Sequence, residues 1–298
     1  MLSQSSPTYG GQALLEGVMI RGKRCASIAV RRPDSTVALH VYPINPIFTG
    51  LFHRIPFIRG VFTLIETITL GMRALTYSAN VGMEEEGEEI GRMGMIGMVA
   101  FSLLFAIGLF FLLPVIASKP LEGILGSDIA SNLAEGIIRL VIFLVYIYLI
   151  GRLQQIDRVF MYHGAEHMTV HAQEHMDPLK VENIRKYPTA HPRCGTAFLL
   201  IVMVLAVVAF TFVGRDPFWW LLASRIVLIP VIAAVSYEII RFSGFHTNNI
   251  IVKLIIAPSL ALQKLTTRQP DDDQIEIAIA AMNQALEIDG NAATQSNE

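Results

Sequence analysis

The hydrophobic positions of this chain gather into long uninterrupted runs, which is the pattern of helices that cross a lipid bilayer. A run of about 20 apolar residues is long enough to span the ~30 Å hydrocarbon core as one helix. Four runs approach that length, although the second is short on its own. They cover residues 93–117, 136–151, 197–214 and 218–237. The pattern therefore predicts a mainly α-helical, polytopic membrane bundle with about four transmembrane helices.

Polar residues and a proline within these runs predict local adjustments. Pro114 is expected to mark the far end of the first span or a kink in it, because proline cannot donate the helical hydrogen bond. Arg139 and Arg225 lie near the outer ends of the second and fourth runs. We therefore expect their long side chains to extend along the lipid and reach water. Trp219 and Trp220 are typical of the interface between lipid and water.

The amino-terminal residues predict a small soluble unit. Residues 26–31 and 36–42 form two short runs on either side of Arg-Pro-Asp-Ser, which is typical of a turn. We therefore expect a β-hairpin. The preceding Gly-Gly-Gln and Leu-Leu-Glu-Gly pieces could place Gln12 and Glu16 at a site, but tight turns and the entry of a helix explain these glycines more simply.

Other segments predict helices at the membrane surface and loose connections. Residues 48–77 are apolar but carry charges, as an interfacial or partly buried amphipathic helix would, and residues 84–89 predict a solvated acidic linker. Residues 250–265 predict an interfacial or re-entrant helix. A last amphipathic helix is expected at 274–286, capped by the aspartates before it, with a loose tail at 291–298.

These elements divide the chain into four regions. The first is the hairpin unit, the second is the interfacial helix with its acidic linker, the third is the membrane domain, and the fourth holds the remaining helices and the tail. The regions are 1–46, 47–92, 93–242 and 243–298, and the third contains a histidine-rich loop at 152–195.

Composition and charge limit the location and the partners. The chain has 298 residues, 53% of them hydrophobic, and a mean hydropathy of +0.50, so we expect the lipid bilayer to be its main partner. A net charge of -2 offers no basic surplus for nucleic acid. Basic residues concentrate in the loop at 152–195 and near both ends, and two cysteines are too few for a disulfide framework. We expect a multi-pass protein of the inner, cytoplasmic membrane with both termini in the cytoplasm.

The most informative segment is 162–175, which reads Y-H-G-A-E-H-M-T-V-H-A-Q-E-H and holds four of the eight histidines. In a helix, His163 and His167 lie one turn apart on the same face, where both can bind one ion. Glu166 beside them completes H-x-x-E-H, the inverted form of the zinc-protease helix, in which the glutamate acts on water. The segment predicts a divalent metal site, with zinc as the expected ion and Glu166 as the catalytic residue.

Further ligands could come from the second copy of this motif. His171, Glu174 and His175 repeat the spacing, but His163 and His175 lie about 18 Å apart along a helix, so one ion cannot bind all four histidines. His171 and His175 fit a solvated continuation of the site better. Glu174 could be a third ligand only if the helix were distorted.

A later loop offers two more ligands. No proline occurs before Pro178, so we expect the second span to continue as one long helix through the histidine segment. Chain reversal before the third span would then bring His191 and Cys194 back toward the first copy of the motif, and both residue types bind zinc well. The candidate metal ligands are therefore His163, His167, His191, Glu174 and Cys194.

The chain resembles the bacterial YqhQ family over roughly residues 9–282. These proteins are integral membrane proteins of unknown function to which a metal-dependent activity is attributed. The resemblance is carried by Gly10-Gly11-Gln12-Ala13, Glu16-Gly17-Val18-Met19, Ile55-Pro56-Phe57-Ile58-Arg59-Gly60, Tyr162-His163-Gly164-Ala165-Glu166-His167, His191-Pro192-Arg193-Cys194-Gly195-Thr196, Ser236-Tyr237-Glu238-Ile239 and Leu265-Thr266-Thr267-Arg268. It implies a metal site at the candidate ligands above but no settled substrate. The family pattern keeps a glutamate at Glu174 without requiring His171 and His175, which weakens any interpretation with two metals.

Three hypotheses of function remain at this point. The first is a metal-dependent hydrolase at the cytoplasmic membrane surface, acting on a lipid-linked or membrane-protein substrate. The second is a non-enzymatic scaffold or assembly factor, in which the same residues form a closed structural metal site or a hydrogen-bonded helix junction. The third is transport past Arg139 and Arg225, which the few polar residues at mid-depth make improbable.

Overall fold

The protein begins with a four-stranded antiparallel sheet in the order β1-β2-β3-β4. The computed structural model describes residues 9–45, 55–84, 91–246 and 249–295. The strands are β1 (Gly10–Leu14), β2 (Gly17–Arg21), β3 (Cys25–Arg31) and β4 (Val37–Pro43). The predicted hairpin is confirmed as β3 and β4. A tight turn does occur at residues 15–16, where it joins β1 to β2. The expected entry of a helix over the preceding glycines is wrong, because that segment forms these two strands.

Two glycines make the additional strands possible. A Cβ atom at Gly11 would lie 2.3 Å from the carbonyl oxygen of Met19, and one at Gly17 would lie 2.5 Å from that of Ala29. Any larger residue would collide with the neighbouring strand. These glycines therefore allow close backbone approach rather than breaking the chain.

Helices cover both faces of the sheet. On one face, α1 (Ile58–Met83) packs Leu70 and Ala74 against strand residues that include Ile28. On the other face, α6 (Gln154–Glu174) contacts β1 and β2, while α11 (Asp272–Gln295) contacts β2, β3 and α6. The sheet and the histidine helix thus share one hydrophobic core, although far-apart segments of the chain supply them.

Three stretches are long and apolar enough to cross a bilayer, and they are candidate spans. They are Met93–Leu125, Asp128–Ile150 and Phe218–Ser243. The first span combines three helices and two turns, namely α2 (Arg92–Ile107), a π-helical turn (Gly108–Leu112), α3 (Leu113–Ser118), a 3₁₀ turn (Lys119–Leu121) and α4 (Glu122–Leu125). The second span is α5 (Asp128–Ile150), and the third lies in α9 (Phe218–Phe245). Another apolar helix, α8 (Gly195–Thr211), has only 17 residues, so a fourth crossing remains a prediction.

The first span does not end at Pro114. A π-helical turn precedes α3, and the helical path continues to Leu125. Because proline lacks an N–H group, the carbonyl oxygen of Phe110, four residues earlier, loses its helical partner. The Arg139 Nε group donates to that oxygen over 3.0 Å. A side chain from the neighbouring helix therefore compensates for the proline.

Arg139 and Arg225 do not extend to water, which corrects the expectation from the sequence. Arg139 retains 6% of its exposure and Arg225 retains 2%. Both donate to Glu135, over 2.6 Å from Arg139 and 2.9 Å from Arg225, and Arg215 donates to the same carboxylate over 3.0 Å. Buried guanidinium groups need a partner of opposite charge, and Glu135 supplies it inside the bundle.

The histidine helix is not a continuation of the second span, so the expectation of one long helix is wrong. The span α5 ends at Ile150, and α6 begins at Gln154. A Cβ atom at Gly151 would lie 3.0 Å from the Phe160 ring and 3.1 Å from the carbonyl oxygen of Ile147. The glycine therefore leaves room for the Phe160 ring of α6 beside the end of α5.

The carboxyl-terminal third contains the two helices that the sequence predicts. They are α10 (Ile250–Thr266), which follows α9, and α11, which follows α10. The short helix α7 (Val181–Ile184) lies earlier in the chain, between α6 and α8. At the start of α11, Asp271 accepts from the Gln274 N–H group over 2.9 Å, which confirms the predicted acidic cap. The loose tail is a wrong prediction as far as Gln295, because α11 continues to that residue. Residues 46–54 and most of the acidic linker lie outside the described residues.

Candidate metal centre

Hydrogen bonds join the amino-terminal half of helix α6 to the sheet. Glu16, in the turn between β1 and β2, accepts from Arg158 over 2.6 Å and from the Tyr162 hydroxyl over 3.2 Å. The hydrogen bond from Arg158 lowers the pKa of Glu16, against the effect of partial burial. These contacts orient α6 so that Glu166 and His167 are buried, with 3% and 2% of their surface exposed.

Gly164 allows another segment to cross α6 in close contact. A Cβ atom there would lie 2.1 Å from the carbonyl oxygen of Arg268. This close approach lets the Arg268 N–H group donate to the Phe160 carbonyl oxygen over 2.9 Å. It also brings the carbonyl oxygen of Thr266 to 2.8 Å from His163 Nδ1. The glycine inside H-G-A-E-H is therefore a packing requirement for the orientation of His163.

Three potential metal ligands converge at this crossing. One ligand atom from each of His163, His167 and Cys194 lies within 4.8 Å of the others. His163 Nδ1 lies 2.8 Å from the Thr266 carbonyl oxygen, and His167 Nδ1 lies 2.6 Å from that of Thr189. A carbonyl oxygen can only accept, so each Nδ1 carries the proton. Each Nε2 atom is then unprotonated, which is the form that binds a metal.

His167 Nε2 has no hydrogen-bonding partner among the described residues, although it is buried. Its nearest charged neighbour is Glu166 Oε2, at 3.5 Å. Burial lowers the pKa of His167, which favours the neutral ring. Two buried acceptor atoms facing each other cost free energy unless a cation or a proton lies nearby. The orphaned nitrogen therefore fits a metal ligand.

Cys194 reaches the histidines from the amino end of α8. Its Sγ atom lies 3.2 Å from His163 Nε2 and 3.1 Å from the Thr196 hydroxyl, and it accepts from the Thr196 N–H group over 3.4 Å. A helix amino terminus favours negative charge, which suits a thiolate bound to a metal. A Cys-His-His set is a donor combination that Zn²⁺ accepts.

Glu166 lies beside His163, His167 and Cys194. Its carboxylate is not part of the group that these three ligands form. Burial raises the pKa of Glu166, and the electrostatic interaction with the His163 ring and a hydrogen bond from the Gly11 backbone oppose this effect. A Cβ atom at Gly11 would lie 2.9 Å from Glu166 Cγ, so the glycine makes room for this side chain. The carboxylate therefore lies between β1 and the ligand set.

A cavity of about 350 Å³ opens onto this arrangement. Its lining combines the ligand set and Glu166 with the first residues of β1 and with Thr67 of α1. It is large enough for water and a small reacting group. The ligand set is therefore open on one side rather than enclosed by protein.

A second group of potential ligands lies next to the first. His171, Glu174 and His191 also have one ligand atom each within 4.8 Å of the others, and the His167 and His191 ring centres lie 5.8 Å apart. His191 Nδ1 accepts from the Arg193 N–H group over 3.2 Å, so the proton is on Nε2, which lies 3.1 Å from Glu174 Oε1. His171 Nε2 faces the Ala190 carbonyl oxygen at 3.0 Å. This tautomer of His191 disfavours metal binding at Nε2.

Hydrogen bonds and an ion pair hold this second group together. Arg193 forms an ion pair with Glu174. Burial opposes ionisation of Glu174, but the hydrogen bond from His191 and the positive charge of Arg193 lower the pKa of Glu174 overall. The buried Gln263 side chain accepts from the His191 N–H group over 2.7 Å and donates to the His191 carbonyl oxygen over 2.9 Å. The group thus stabilises the loop that carries Thr189 and Cys194.

The structure therefore distributes the sequence-predicted residues over two adjacent groups. His163, His167 and Cys194 lie together with Glu166 beside them, whereas His191 and Glu174 lie with His171. Sequence reasoning missed the roles of Gln263, Gly11 and Gly164. A lone buried amide in the apolar run of α10 was a usable signal for Gln263. The carbonyl oxygens that hold the histidine rings leave no trace in the sequence, because every residue has one.

The fold and this site define a membrane protein that carries a cluster of potential metal ligands at the end of its helical bundle. The family model of a protein of unknown function (DUF1385) matches residues 55–288. The chain is 32% identical to the "Uncharacterized protein YqhQ" of Bacillus subtilis (strain 168), over 98% of this chain and 96% of that protein. The chain therefore belongs to the YqhQ family, as its motifs indicate. No solved structure matches it.

Proposed function

We propose that this protein is a zinc-dependent hydrolase whose metal is held by His163, His167 and Cys194. One observation carries the proposal. Two histidines present unprotonated Nε2 atoms, together with a cysteine sulfur, within 4.8 Å of one another and beside a cavity. Three protein ligands with one open side are the pattern of catalytic zinc sites, whereas structural sites have four.

The metal, when bound, would supply Lewis-acid chemistry. Glu166 would act as the general base, because its carboxylate is the one acidic group that lines the cavity among the described residues. Thr189 and Thr266 would hold the histidine rings through their carbonyl oxygens. His191 and Glu174 would be positioning residues, since they hold the loop between Thr189 and Cys194.

The substrate is proposed to be lipid-linked or a membrane protein. Helix α6 begins four positions after the candidate span α5 ends, and Cys194 immediately precedes the apolar helix α8. The site therefore lies near the level at which the chain leaves the bilayer. Following the distribution of basic residues, we place this side, with both termini, in the cytoplasm beneath the inner membrane.

Metal analysis of the purified protein tests the ligand set. We expect the wild-type protein to contain zinc, and H163A, H167A and C194S to lose it, because each change removes one of three ligands. H175A is the matched control, since His175 is an exposed histidine at the carboxyl end of α6, where it contacts the His171 carbonyl oxygen and the His171 and Tyr187 rings. Zinc content that is equal in H167A, C194S and wild type would exclude this site.

Replacement of Glu166 tests the catalytic role. We expect E166Q to keep its zinc and to hydrolyse about 10²–10⁴-fold more slowly, because the amide cannot accept the proton. The assay incubates each protein with membranes of the expression host and follows hydrolysis products by mass spectrometry. E276Q, at an exposed position of α11, is the control. Products that form equally with E166Q and wild type would contradict the hydrolase.

A structural metal site is the second candidate, and the 3.5 Å between Glu166 Oε2 and His167 Nε2 is the observation that favours it. At that distance, a small movement would make Glu166 a fourth ligand and close the site. In the cobalt-substituted protein, a closed site predicts an absorption spectrum that E166Q changes and azide does not. An open site predicts the reverse, so this one measurement separates the scaffold from the enzyme.

A further inference from the structure

A second cavity, of about 770 Å³, lies on the other side of the segments that hold the metal ligands. It is formed where α5 ends, where α6 begins and where α10 ends. Its lining residues are Tyr148, Gly151, Arg152, Gln154, Asp157, Thr189, Lys264, Leu265, Thr267, Arg268 and Gln269. We call it the basic pocket, because three of its four charged residues are cationic.

The cations of the basic pocket keep donors available. Lys264 is exposed, and its ammonium group has no hydrogen-bonding or ionic partner in the part of the chain that the structure describes. The Arg152 guanidinium group lies over the Tyr148 ring at 4.6 Å, and among the described residues it donates to the Tyr148 hydroxyl group alone. Arg268 pairs with Asp157 through Nε over 3.0 Å, and its Nη2 group lies 3.5 Å from the Cβ position of Gly151. One carboxylate is therefore opposed by three positive charges.

The position of the basic pocket places it at the membrane surface. Arg152 follows the last residue of the candidate span α5 by two positions, and Lys264 lies in the last turn of α10. Cationic pockets at this level, immediately beyond the end of a transmembrane helix, match the depth of phospholipid headgroups. Anionic headgroups carry a phosphate, which arginine and lysine bind through charge-assisted hydrogen bonds.

We propose that the basic pocket binds the phosphate of an anionic phospholipid headgroup through Arg152, Lys264 and Arg268. The wall between this pocket and the ligand set contains Thr189 and the 265–268 segment, whose carbonyl oxygens orient His167 and His163. A bound headgroup would thus lie directly behind the proposed metal site. The proposal does not require the metal, because none of the three cations contacts the ligand set.

Lipid binding to the purified, detergent-solubilised protein tests the proposal. We expect native mass spectrometry to detect phosphatidylglycerol bound in preference to phosphatidylcholine. The variant R152Q/K264Q should weaken phosphatidylglycerol binding about 30-fold, because each basic residue near a membrane surface contributes roughly fivefold. Arg268 is left unchanged, since its backbone and side chain support α6.

A charge-matched control removes two exposed lysines elsewhere. K180Q/K253Q lowers the charge equally, and Lys253 lies on the same helix as Lys264 but outside the pocket. We expect it to bind phosphatidylglycerol as the wild type does. Equal binding by wild type and R152Q/K264Q, or equal weakening in both double variants, would overturn the proposal. Should R152Q/K264Q fail to fold by circular dichroism, K264Q alone should give the fivefold effect.

Competition with inorganic phosphate identifies the source of the ligand. If phosphatidylglycerol occupies the basic pocket as a lipid, millimolar-range inorganic phosphate should not displace it, because the headgroup is held near the bilayer as well as by charge. Displacement by inorganic phosphate would support phosphate chemistry in the pocket and overturn the lipid assignment in favour of a soluble phosphorylated ligand.

Discussion

At the scale of single residues, the hydrogen bonds of each histidine decide what it can do. His163 and His167 use Nδ1 to donate to carbonyl oxygens, which leaves Nε2 unprotonated. His191 accepts at Nδ1 and directs Nε2 at Glu174. A neutral imidazole ring carries one N–H proton, on either Nδ1 or Nε2. His163 and His167 therefore present an unprotonated Nε2 atom to an incoming ion, whereas His191 presents a protonated one. The same residue type therefore serves as a ligand in one group and as a structural hydrogen-bond partner in the next.

Replacing Gly164 by alanine tests the close packing behind His163. The added Cβ atom would lie 2.1 Å from the Arg268 carbonyl oxygen, so the 266–268 segment must move away from α6. We expect G164A to lower the free energy of unfolding by about 1–3 kcal/mol, as overpacking does, and to weaken zinc binding. Thermal denaturation and zinc titration measure the two effects.

Gly82 provides the matched control for that change. It also lies in a helix, but a Cβ atom there meets nothing within 4 Å. G82A should leave zinc binding unchanged and stabilise the helix by up to about 1 kcal/mol. If G164A behaves like G82A, the crossing at Gly164 does not position His163.

At the scale of elements, one carboxylate joins the helices of the bundle. Glu135 on α5 accepts from Arg139 of the same helix, from Arg225 on α9 and from Arg215 in the connection between α8 and α9. Asn132 accepts from Arg215 over 2.7 Å and donates to the Val213 carbonyl oxygen over 2.8 Å. Helices that are apolar on all sides have little to distinguish one packing from another, so this polar cluster specifies how they pair.

Replacing Glu135 by glutamine should therefore destabilise the bundle strongly. The change leaves three buried guanidinium groups without their shared counter-ion, and breaking a buried ion pair from one side costs about 3–5 kcal/mol. Thermal unfolding in detergent measures the loss, with E276Q as a control at an exposed glutamate of α11. An unfolding temperature equal to that of E276Q would show that the cluster does not hold the helices together.

At the scale of the whole molecule, the chain builds a sheet-and-helix body around α6 and joins it to a helical membrane part. The sheet packs on α1, α6 and α11, while α5, α8 and α9 form the neighbouring bundle. The candidate metal site lies where the two parts meet, between α6 and the loop before α8. Contributions to it come from residues as far apart in the chain as Gly11 and Thr266.

The four-crossing arrangement predicts which surfaces face the cytoplasm. Single cysteines at the exposed positions Ser35, Lys180 and Gly214 can report this, because the native Cys25 and Cys194 are buried. We expect a membrane-impermeant maleimide to label G214C in intact cells, and to label S35C and K180C only after permeabilisation. The unsubstituted chain gives the background. Protection of G214C together with K180C would mean that α8 does not cross the membrane.

The sequence by itself determined the elements whose signal is local. Spans of apolar residues, the hairpin at β3 and β4, the acidic cap of α11 and the placing of His163, Glu166 and His167 on one stretch of helix depend on neighbours a few positions apart. Hydrophobic length, turn residues and helical periodicity report such features directly. The family motifs carried the same information.

Only the tertiary structure decided which of these residues meet. The break between α5 and α6, the extra strands at Gly11 and Gly17, and the burial of Arg139 and Arg225 around Glu135 all depend on contacts between distant segments. The same is true of Cys194 joining the histidines while His191 turns to Glu174, because a backbone carbonyl group fixes the tautomer of His167 and a backbone N–H group fixes that of His191. A carbonyl group has the same chemistry at every position, so its effect appears only once the chain has folded.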